Sequence, residues 1–183
     1  MTTVFVAGSR NLGRLNDEVR KRLSNLISED FRILVGDANG ADKAVQKYLV
    51  ENAYEKVVVY CSGNRCRNNL GSWTASFVSV DKSKKGREFY AEKDKKMAED
   101  ADYGLMIWDG KSAGTLNNVL ELLKRNKKTL IYFSPSREFL SVSEPSQITS
   151  LLKRCPPEAV EKIRKKVRFG SVVQNEGQKA LDF

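Results

Sequence analysis

The sequence contains no histidine among its 183 residues. This absence excludes Ser-His-Asp and Cys-His catalysis within one chain. Cys61 and Cys66 have four residues between them, but without histidine a zinc site would need four ligands from sulfur or carboxylate alone, which is an uncommon set. We therefore expect no metal site.

Cysteine is also scarce, with three residues in the chain. An odd number of cysteines without a secretion signal argues against a framework of disulfides. Long hydrophobic runs are absent as well, and residues 2–8 lead directly into a strand-like segment without a signal peptide. We therefore expect a cytoplasmic protein that does not interact with membranes.

Hydrophobic residues make up 40% of the chain, which is enough for a folded core. The length fits one domain with an appendage. The formal net charge of +9 favours a polyanion or an anionic small ligand as the partner. A solvated basic surface is an equally good explanation of the charge.

Short apolar segments alternate with amphipathic helical patterns along most of the chain. The predicted core strands span residues 3–7, 31–35, 56–61, 103–108 and 128–133, and residues 77–80 are a candidate for a short extra strand. The alternation predicts an α/β fold with a mostly parallel five-stranded sheet and helices on both faces.

The pattern changes after residue 134, where the predicted strands end. We therefore divide the chain into a ligand-binding domain over 1–134 and a small, mainly helical C-terminal extension over 135–183. The extension is too small to hold a core of its own.

The most informative segment is 109–115, where a buried strand ends in a small-residue loop that opens a helix. Ser112 is a natural N-cap, and Gly114 permits a ligand to approach closely. The Thr115 hydroxyl can bond either a phosphate or the helix start. The free N–H groups of such a corner, with the helix dipole behind them, bind anions.

Two further glycine loops follow predicted strands, at Gly8-Ser9-Arg10 and at 36–42. Arg10 offers donors suited to a phosphate or a carboxylate. Asp42 either stabilises a helix dipole or accepts ribose hydroxyls, and we favour the first role for Asp42 and a ligand-facing backbone at Gly36. Because the carboxyl ends of parallel strands share one edge of the sheet, these loops should converge on one crevice.

The helical segment after residue 86 places Arg87, Tyr90 and Asp94 on one face, at spacings of three and four residues. Such a face presents a base, a hydroxyl and a carboxylate to the crevice, or is simply solvated. The predicted ligand-binding residues are Gly8, Ser9, Arg10, Gly36, Asp37, Gly40, Asp42, Arg87, Asp109, Ser112, Gly114 and Thr115.

Four segments together resemble the SLOG superfamily and are most similar to its YspA-like branch: 8–10, 36–42, 93–102 and 108–115. The superfamily also includes the Lonely Guy phosphoribohydrolases and the DNA-processing protein A domain. The likeness covers residues 3–134 and preserves the order of the motifs. It implies a Rossmann-like three-layer fold and a pocket for a nucleotide or an ADP-ribose-like ligand, with no cofactor predicted.

The chain differs from the Lonely Guy enzymes at a position that matters for hydrolysis. The Lonely Guy enzymes carry a catalytic glutamate three residues after the motif threonine, and this chain has Asn118 there. If the ligand is hydrolysed at all, the candidate bases are Asp94 and Asp37, because a carboxylate in a partly dry crevice can have a raised pKa.

The last six residues resemble the Gln-x-x-Leu-x-Phe peptide that docks bacterial DNA-associated proteins on the sliding clamp. The matching positions are Gln178, Leu181 and Phe183. An extended peptide with spaced apolar anchors is a sound docking device. The alternative is a frayed or self-packed terminus.

Three functions remain open from the sequence. The first is binding or sensing of a nucleotide-derived ligand, with a weak N-glycosidic or phosphohydrolase activity as an accompanying hypothesis. The second is a nucleic-acid binding module of the DNA-processing protein A type, with phosphate contacts from residues 82–87 and from Lys162, Lys165 and Lys166. The third is an interaction adaptor with a vestigial crevice, and a homo-oligomer is compatible with each.

Overall fold

Seven strands form one sheet in the computed structural model, which describes residues 1–167 and residue 169. The predicted clamp-like peptide lies outside these residues. The strands are β1 (Thr3–Gly8), β2 (Arg32–Gly36), β3 (Val57–Ser62), β4 (Thr74–Val78), β5 (Tyr103–Trp108), β6 (Thr129–Phe133) and β7 (Glu138–Val142). The helices are α1 (Asp17–Ser28), α2 (Ala41–Glu51), α3 (Gly86–Asp100), α4 (Ala113–Leu123), α5 (Ser146–Leu152) and α6 (Pro157–Lys166).

The strand order is β4-β3-β2-β1-β5-β6-β7. Strands β1 to β6 run parallel, and β7 is antiparallel to β6. The chain builds outward from β1 to β4 and then returns to place β5 on the other side of β1. This reversal between β1 and β5 is the point where ligands bind in open parallel sheets.

Helices cover both faces of the sheet and give three layers. On one face, Val19 and Leu23 of α1 and Val45 and Leu49 of α2 pack on the sheet. On the other, the core includes Met97 of α3 together with residues of α4, α5 and α6. The predicted α/β class with a mostly parallel sheet is confirmed.

The sheet has two strands beyond the five predicted core strands, and both are edge strands; the candidate extra strand over 77–80 overlaps β4, and β7 was not predicted. Strand β4 is largely half-exposed or exposed, with polar Thr74 and Ser76 and an exposed Phe77. Strand β7 is also only partly buried. An edge strand that packs on one side lacks the continuous apolar run that marks a central parallel strand, so its signal in the sequence is weak.

The C-terminal extension is not purely helical, because β7 extends the sheet. Helices α5 and α6 place Ile148, Leu151 and Ile163 in the same hydrophobic core as α3 and α4. The described part of the extension therefore shares its core with residues 1–134.

Cys61 and Cys66 form a disulfide at the end of β3, which the expectation against disulfides missed. The number of cysteines says nothing about a bond across a short loop. That bond depends on whether the loop brings the two Cα atoms close, and here they are 5.1 Å apart. Cys155 is free and buried.

No helix within residues 1–167 combines the length and the apolar character needed to cross a membrane.

Candidate functional site

A cleft of about 490 Å³ lies at the carboxyl ends of β1 and β5. Its walls come from the loops after β1, β2 and β5 and from α3, α4 and α6. The three glycine loops, far apart in sequence, therefore meet at one place. Predicted site residues that line the cleft are Gly8, Arg10, Asp42, Arg87, Asp94, Ser112, Gly114 and Thr115.

Two other predicted residues, Ser9 and Asp109, lie behind the cleft wall and stabilise it through hydrogen bonds. The Ser9 hydroxyl donates to Asp109 Oδ1 at 2.7 Å, and the same oxygen accepts the amides of Lys111 at 3.0 Å and Ser112 at 2.8 Å. Burial favours a higher pKa for Asp109, but these hydrogen bonds outweigh it and lower the pKa below its ordinary value. Asp109 therefore remains a carboxylate that fixes the loop before α4.

The start of α4 presents backbone donors to the cleft. Ser112 caps the helix, and its Oγ accepts the amide of Thr115 at 3.3 Å and the Thr115 hydroxyl at 3.0 Å. The amides of Ala113 and Gly114, by contrast, have no hydrogen-bond partner within the part of the chain that the structure describes. Two donors and the positive end of the helix dipole therefore face the cleft.

Asn118 lies one turn further along α4 and also lines the cleft. Only 5% of the residue is exposed, and its Oδ1 has no hydrogen-bond partner among residues 1–167. An unsatisfied buried polar atom costs about 1–3 kcal/mol. The sequence marked the position only through the Lonely Guy comparison, and an amide cannot serve as the base that a glutamate provides there.

A buried ion cluster forms the floor of the cleft. Lys93 of α3 is 4% exposed, and its Nζ donates to Asp94 Oδ1 at 2.7 Å. The Asp42 carboxylate lies beside it and accepts the amide of Ala38 at 3.2 Å. A Cβ at Gly36 would lie 2.7 Å from Lys93 Nζ and would also press on Asp42 Oδ2. The side chains of Lys93 and Asp42 thus fill the space beside Gly36, and Gly36, predicted to present a ligand-facing backbone, is not among the residues that line the cleft.

The pKa values of Asp42 and Lys93 in the cleft floor each depend on the charge of the other residue. Burial raises the pKa of Asp42 to about 6, although Lys93 pulls it down. Burial opposes the charge on Lys93, but the nearby carboxylates of Asp94 and Asp42 outweigh it and raise the pKa of the lysine. Lys93 is therefore a fixed positive charge between two carboxyl groups.

Asp37 and Arg67 form an ion pair behind this floor. Arg67 Nη2 donates to Asp37 Oδ1 at 2.6 Å, and Arg67 Nε donates to Oδ2 at 3.1 Å. Burial favours a higher pKa for Asp37, but the hydrogen bonds from Arg67 outweigh it and lower the pKa. Asp37 is 1% exposed and already paired, so it is poorly suited to act as a general base. Asp94 is the candidate base that lines the cleft.

Arg67 was not predicted; it lies in the connection between β3 and β4, where the sequence predicted no site residue. Its guanidinium carbon lies 3.9 Å from the centre of the Tyr90 ring, and that of Arg10 lies 5.7 Å from the same ring. Gly40, the remaining predicted residue, precedes α2 and packs against the backbone of Arg10. Tyr90 and Gly40 thereby position the two arginines at the cleft.

The cleft has a cationic rim, and its floor holds the cluster of Lys93, Asp42 and Asp94. The basic side chains that line the cleft are Arg10, Arg67, Arg87, Lys93, Lys111, Lys162 and Lys166, and the acidic ones are Asp42 and Asp94. A ligand that fits this distribution carries negative charge at the rim and neutral hydrogen-bond donors at the floor. No group of three or more cysteine or acidic side chains in the described residues is arranged to hold a metal ion.

No protein-family model matches this chain, and no curated protein gives a significant match. The resemblance to the SLOG superfamily therefore stays a prediction, and the function has to be inferred from the geometry and chemistry of the cleft.

Proposed function

We propose that the cleft binds a nucleotide or a nucleotide-derived ligand of the ADP-ribose type. The observation that carries this proposal is the wall formed by α4. Ala113, Gly114 and Asn118 all line this cavity, and among the described residues the amides of Ala113 and Gly114 have no hydrogen-bond partner. An anion bound at the start of α4 satisfies both amides.

A phosphate is the anion that fits the start of α4 best. Phosphate oxygens accept several hydrogen bonds at once, and the first turn of a helix supplies amides and a favourable dipole. The hydroxyls of Ser112 and Thr115 lie at the same turn. Arg10 adds a positive charge on the side of β1, where its planar donors match phosphate oxygens.

A sugar fits the floor. Carboxylates accept hydrogen bonds from hydroxyl groups, and Asp94 and Asp42 both line this side of the cleft. A second phosphate would be repelled there. A ribosyl phosphate combines the anion and the hydroxyls that the two sides require, and a cleft of about 490 Å³ is within the usual range for such ligands.

Hydrolysis would need a base, and Asp94 is the candidate for an N-glycosidic or phosphohydrolase reaction. Its carboxylate is 2.7 Å from the ammonium of Lys93. Because this carboxylate already accepts a hydrogen bond from the lysine, we propose ligand binding as the main function.

Isothermal titration of the full chain with ADP-ribose tests the proposal. Wild type should bind ADP-ribose, whereas adenosine, which lacks phosphate, should bind at least about tenfold more weakly because it makes no charge-assisted hydrogen bonds. Arg10→Ala should weaken ADP-ribose binding by about tenfold or more. The matched control is Arg14→Ala, at an exposed arginine outside the cleft.

The proposal is wrong if wild type shows no binding to ADP-ribose, AMP or NAD. It is also wrong if Arg10→Ala and Arg14→Ala weaken binding equally, because the effect would then reflect overall charge.

A further inference from the structure

Helix α6 forms one side of the cleft, although it belongs to the segment outside the SLOG resemblance. Lys162 and Lys166, four residues apart on one face of α6, both line the cleft. Ile163 anchors the helix in the core and is fully buried. The two ammonium groups therefore extend from a base that is fixed relative to α4.

We propose that Lys162 and Lys166 form a second anion subsite that recognises the second of two adjacent phosphates, as found in ADP and ADP-ribose. This inference rests on the proposed function, because it assumes that the first phosphate binds at the start of α4. The α6 lysines then select a diphosphate over a monophosphate.

Arg87 connects the two subsites. Its Nη1 donates to the carbonyl of Lys166 at 2.8 Å, and its Nη2 donates to the carbonyl of Ala113 at 3.4 Å. One guanidinium thus spans the end of α6 and the start of α4. The two ends are close enough for neighbouring phosphates of one molecule to contact both.

Lys162 and Lys166 differ from their neighbour Lys165 in their ion pairing. Lys165 points elsewhere and forms an ion pair with Glu161 at 2.6 Å. Neither Lys162 nor Lys166 has a carboxylate partner within the part of the chain that the structure describes. Two like charges one turn apart repel each other, and an anion bound between them would remove that repulsion.

The same lysines were predicted from the sequence as phosphate contacts for nucleic acid, and the two interpretations lead to different expectations. A nucleic-acid surface would use Lys165 as much as the other two lysines. Its binding would also weaken steeply with added salt, because many counterions are released. A cleft subsite uses only the two lysines that line it.

The test is a calorimetric titration of the full chain with AMP and with ADP. Wild type should bind ADP at least about tenfold more tightly than AMP, because the second phosphate gains charge-assisted contacts. The double variant Lys162→Ala plus Lys166→Ala should lose this preference and keep its affinity for AMP. Lys165→Ala on the same helix is the matched control and should behave as wild type.

Retained AMP binding shows that the double variant is folded and that the α4 subsite is intact. Equal affinity of wild type for AMP and ADP, or an unchanged preference in the double variant, would overturn the inference and leave the proposed function standing. If wild type binds neither nucleotide, the inference fails, and the proposed function fails with it only when ADP-ribose and NAD do not bind either. Tight, strongly salt-dependent binding of a single-stranded oligonucleotide that all three lysines support equally would also overturn it.

Discussion

Lys93 shows how the phase of a helix decides the role of a single charged residue. It lies in a run of lysines and acidic residues that is typical of a solvated helix surface. Lys95 and Lys96 do form surface ion pairs, with Glu92 and Asp100. Lys93, one turn before the fully buried Met97, instead points inward to the carboxylates of the cleft floor. Its side chain therefore fixes a positive charge beneath a ligand site.

The pKa of Asp42 is the residue property with the clearest consequence for stability. In the unfolded chain the carboxyl group titrates near its ordinary value of 3.8, and burial in the native protein raises the pKa to about 6. Between these values the native protein binds more protons than the unfolded chain. The contribution of this group to stability is therefore fully present below about pH 4 and is lost as the pH rises through about 6.

Asp42→Asn should remove this dependence, because an amide does not titrate. We expect the free energy of unfolding of the variant, relative to wild type, to increase by about 2 kcal/mol between about pH 4.5 and about pH 7, since one pKa unit corresponds to about 1.4 kcal/mol. Urea unfolding at both pH values measures the change. Its absolute value at one pH also contains the lost contact with Lys93, so only the trend is predicted.

Glu55→Gln, at an exposed carboxylate, is the control for this trend. It should change stability equally at both pH values. A constant difference between Asp42→Asn and wild type would show that Asp42 titrates at its ordinary value.

At the scale of elements, the end of β1 is where three segments approach most closely. A Cβ at Gly8 would lie 2.7 Å from the Cβ of Ala41 at the start of α2 and 2.9 Å from the Cβ of Ile107 in β5. It would also press on the carbonyl oxygen of Ile107. These neighbours are backbone or short side chains, so they can move only if the elements move.

Gly8→Ala should therefore lower the free energy of unfolding by about 1–3 kcal/mol, which is typical of an overpacked site. The control is Gly13→Ala, where the added Cβ would have no heavy atom within 4 Å, and it should change stability by less than about 0.5 kcal/mol. Urea unfolding of both variants measures the difference. Equal stability of the two variants would show that β1, β5 and α2 adjust to the extra methyl group at no cost.

The elements also differ in how well the sequence predicts them. Central strands such as β3 and β5 are apolar runs bounded by polar turns, and the predicted ranges lie within a residue of the observed ones. The edge strands β4 and β7 are half-exposed, so their residues resemble those of loops. The predicted extra strand over 77–80 overlaps β4, which starts at Thr74 and ends at Val78.

At the scale of the whole molecule, the C-terminal helices belong to the main core. Ile163 of α6 is fully buried and lies in the same cluster as Leu116 and Leu120 of α4 and Trp108 of β5. A core shared by the sheet and α6 should unfold as one cooperative unit.

Ile163→Ala should therefore destabilise the whole chain by about 2–5 kcal/mol, because it leaves a cavity in the shared core. Unfolding followed by circular dichroism and by tryptophan fluorescence should give coincident transitions. Lys165→Ala, on the exposed side of the same helix, should leave both unfolding transitions where they are in wild type. An early transition seen only by circular dichroism would mean that α5 and α6 melt separately from the sheet.

The amino-acid sequence by itself determined the α/β class, the central strands, the loops at their carboxyl ends and the cap of α4. These features depend on short-range patterns: apolar runs, turn residues and the residue types that begin a helix. The convergence of the loops also followed, because parallel strands present their carboxyl ends at one edge.

Only the tertiary structure decided which polar side chains face the cleft. These placements depend on helix rotation and on packing between distant segments. They include the inward direction of Lys93, the pairing of Asp37 with Arg67, the unsatisfied oxygen of Asn118 and the position of Lys162 and Lys166 at the cleft. The same residue types occur on ordinary solvated surfaces. Their role is set by what the fold places next to them, which local sequence does not encode.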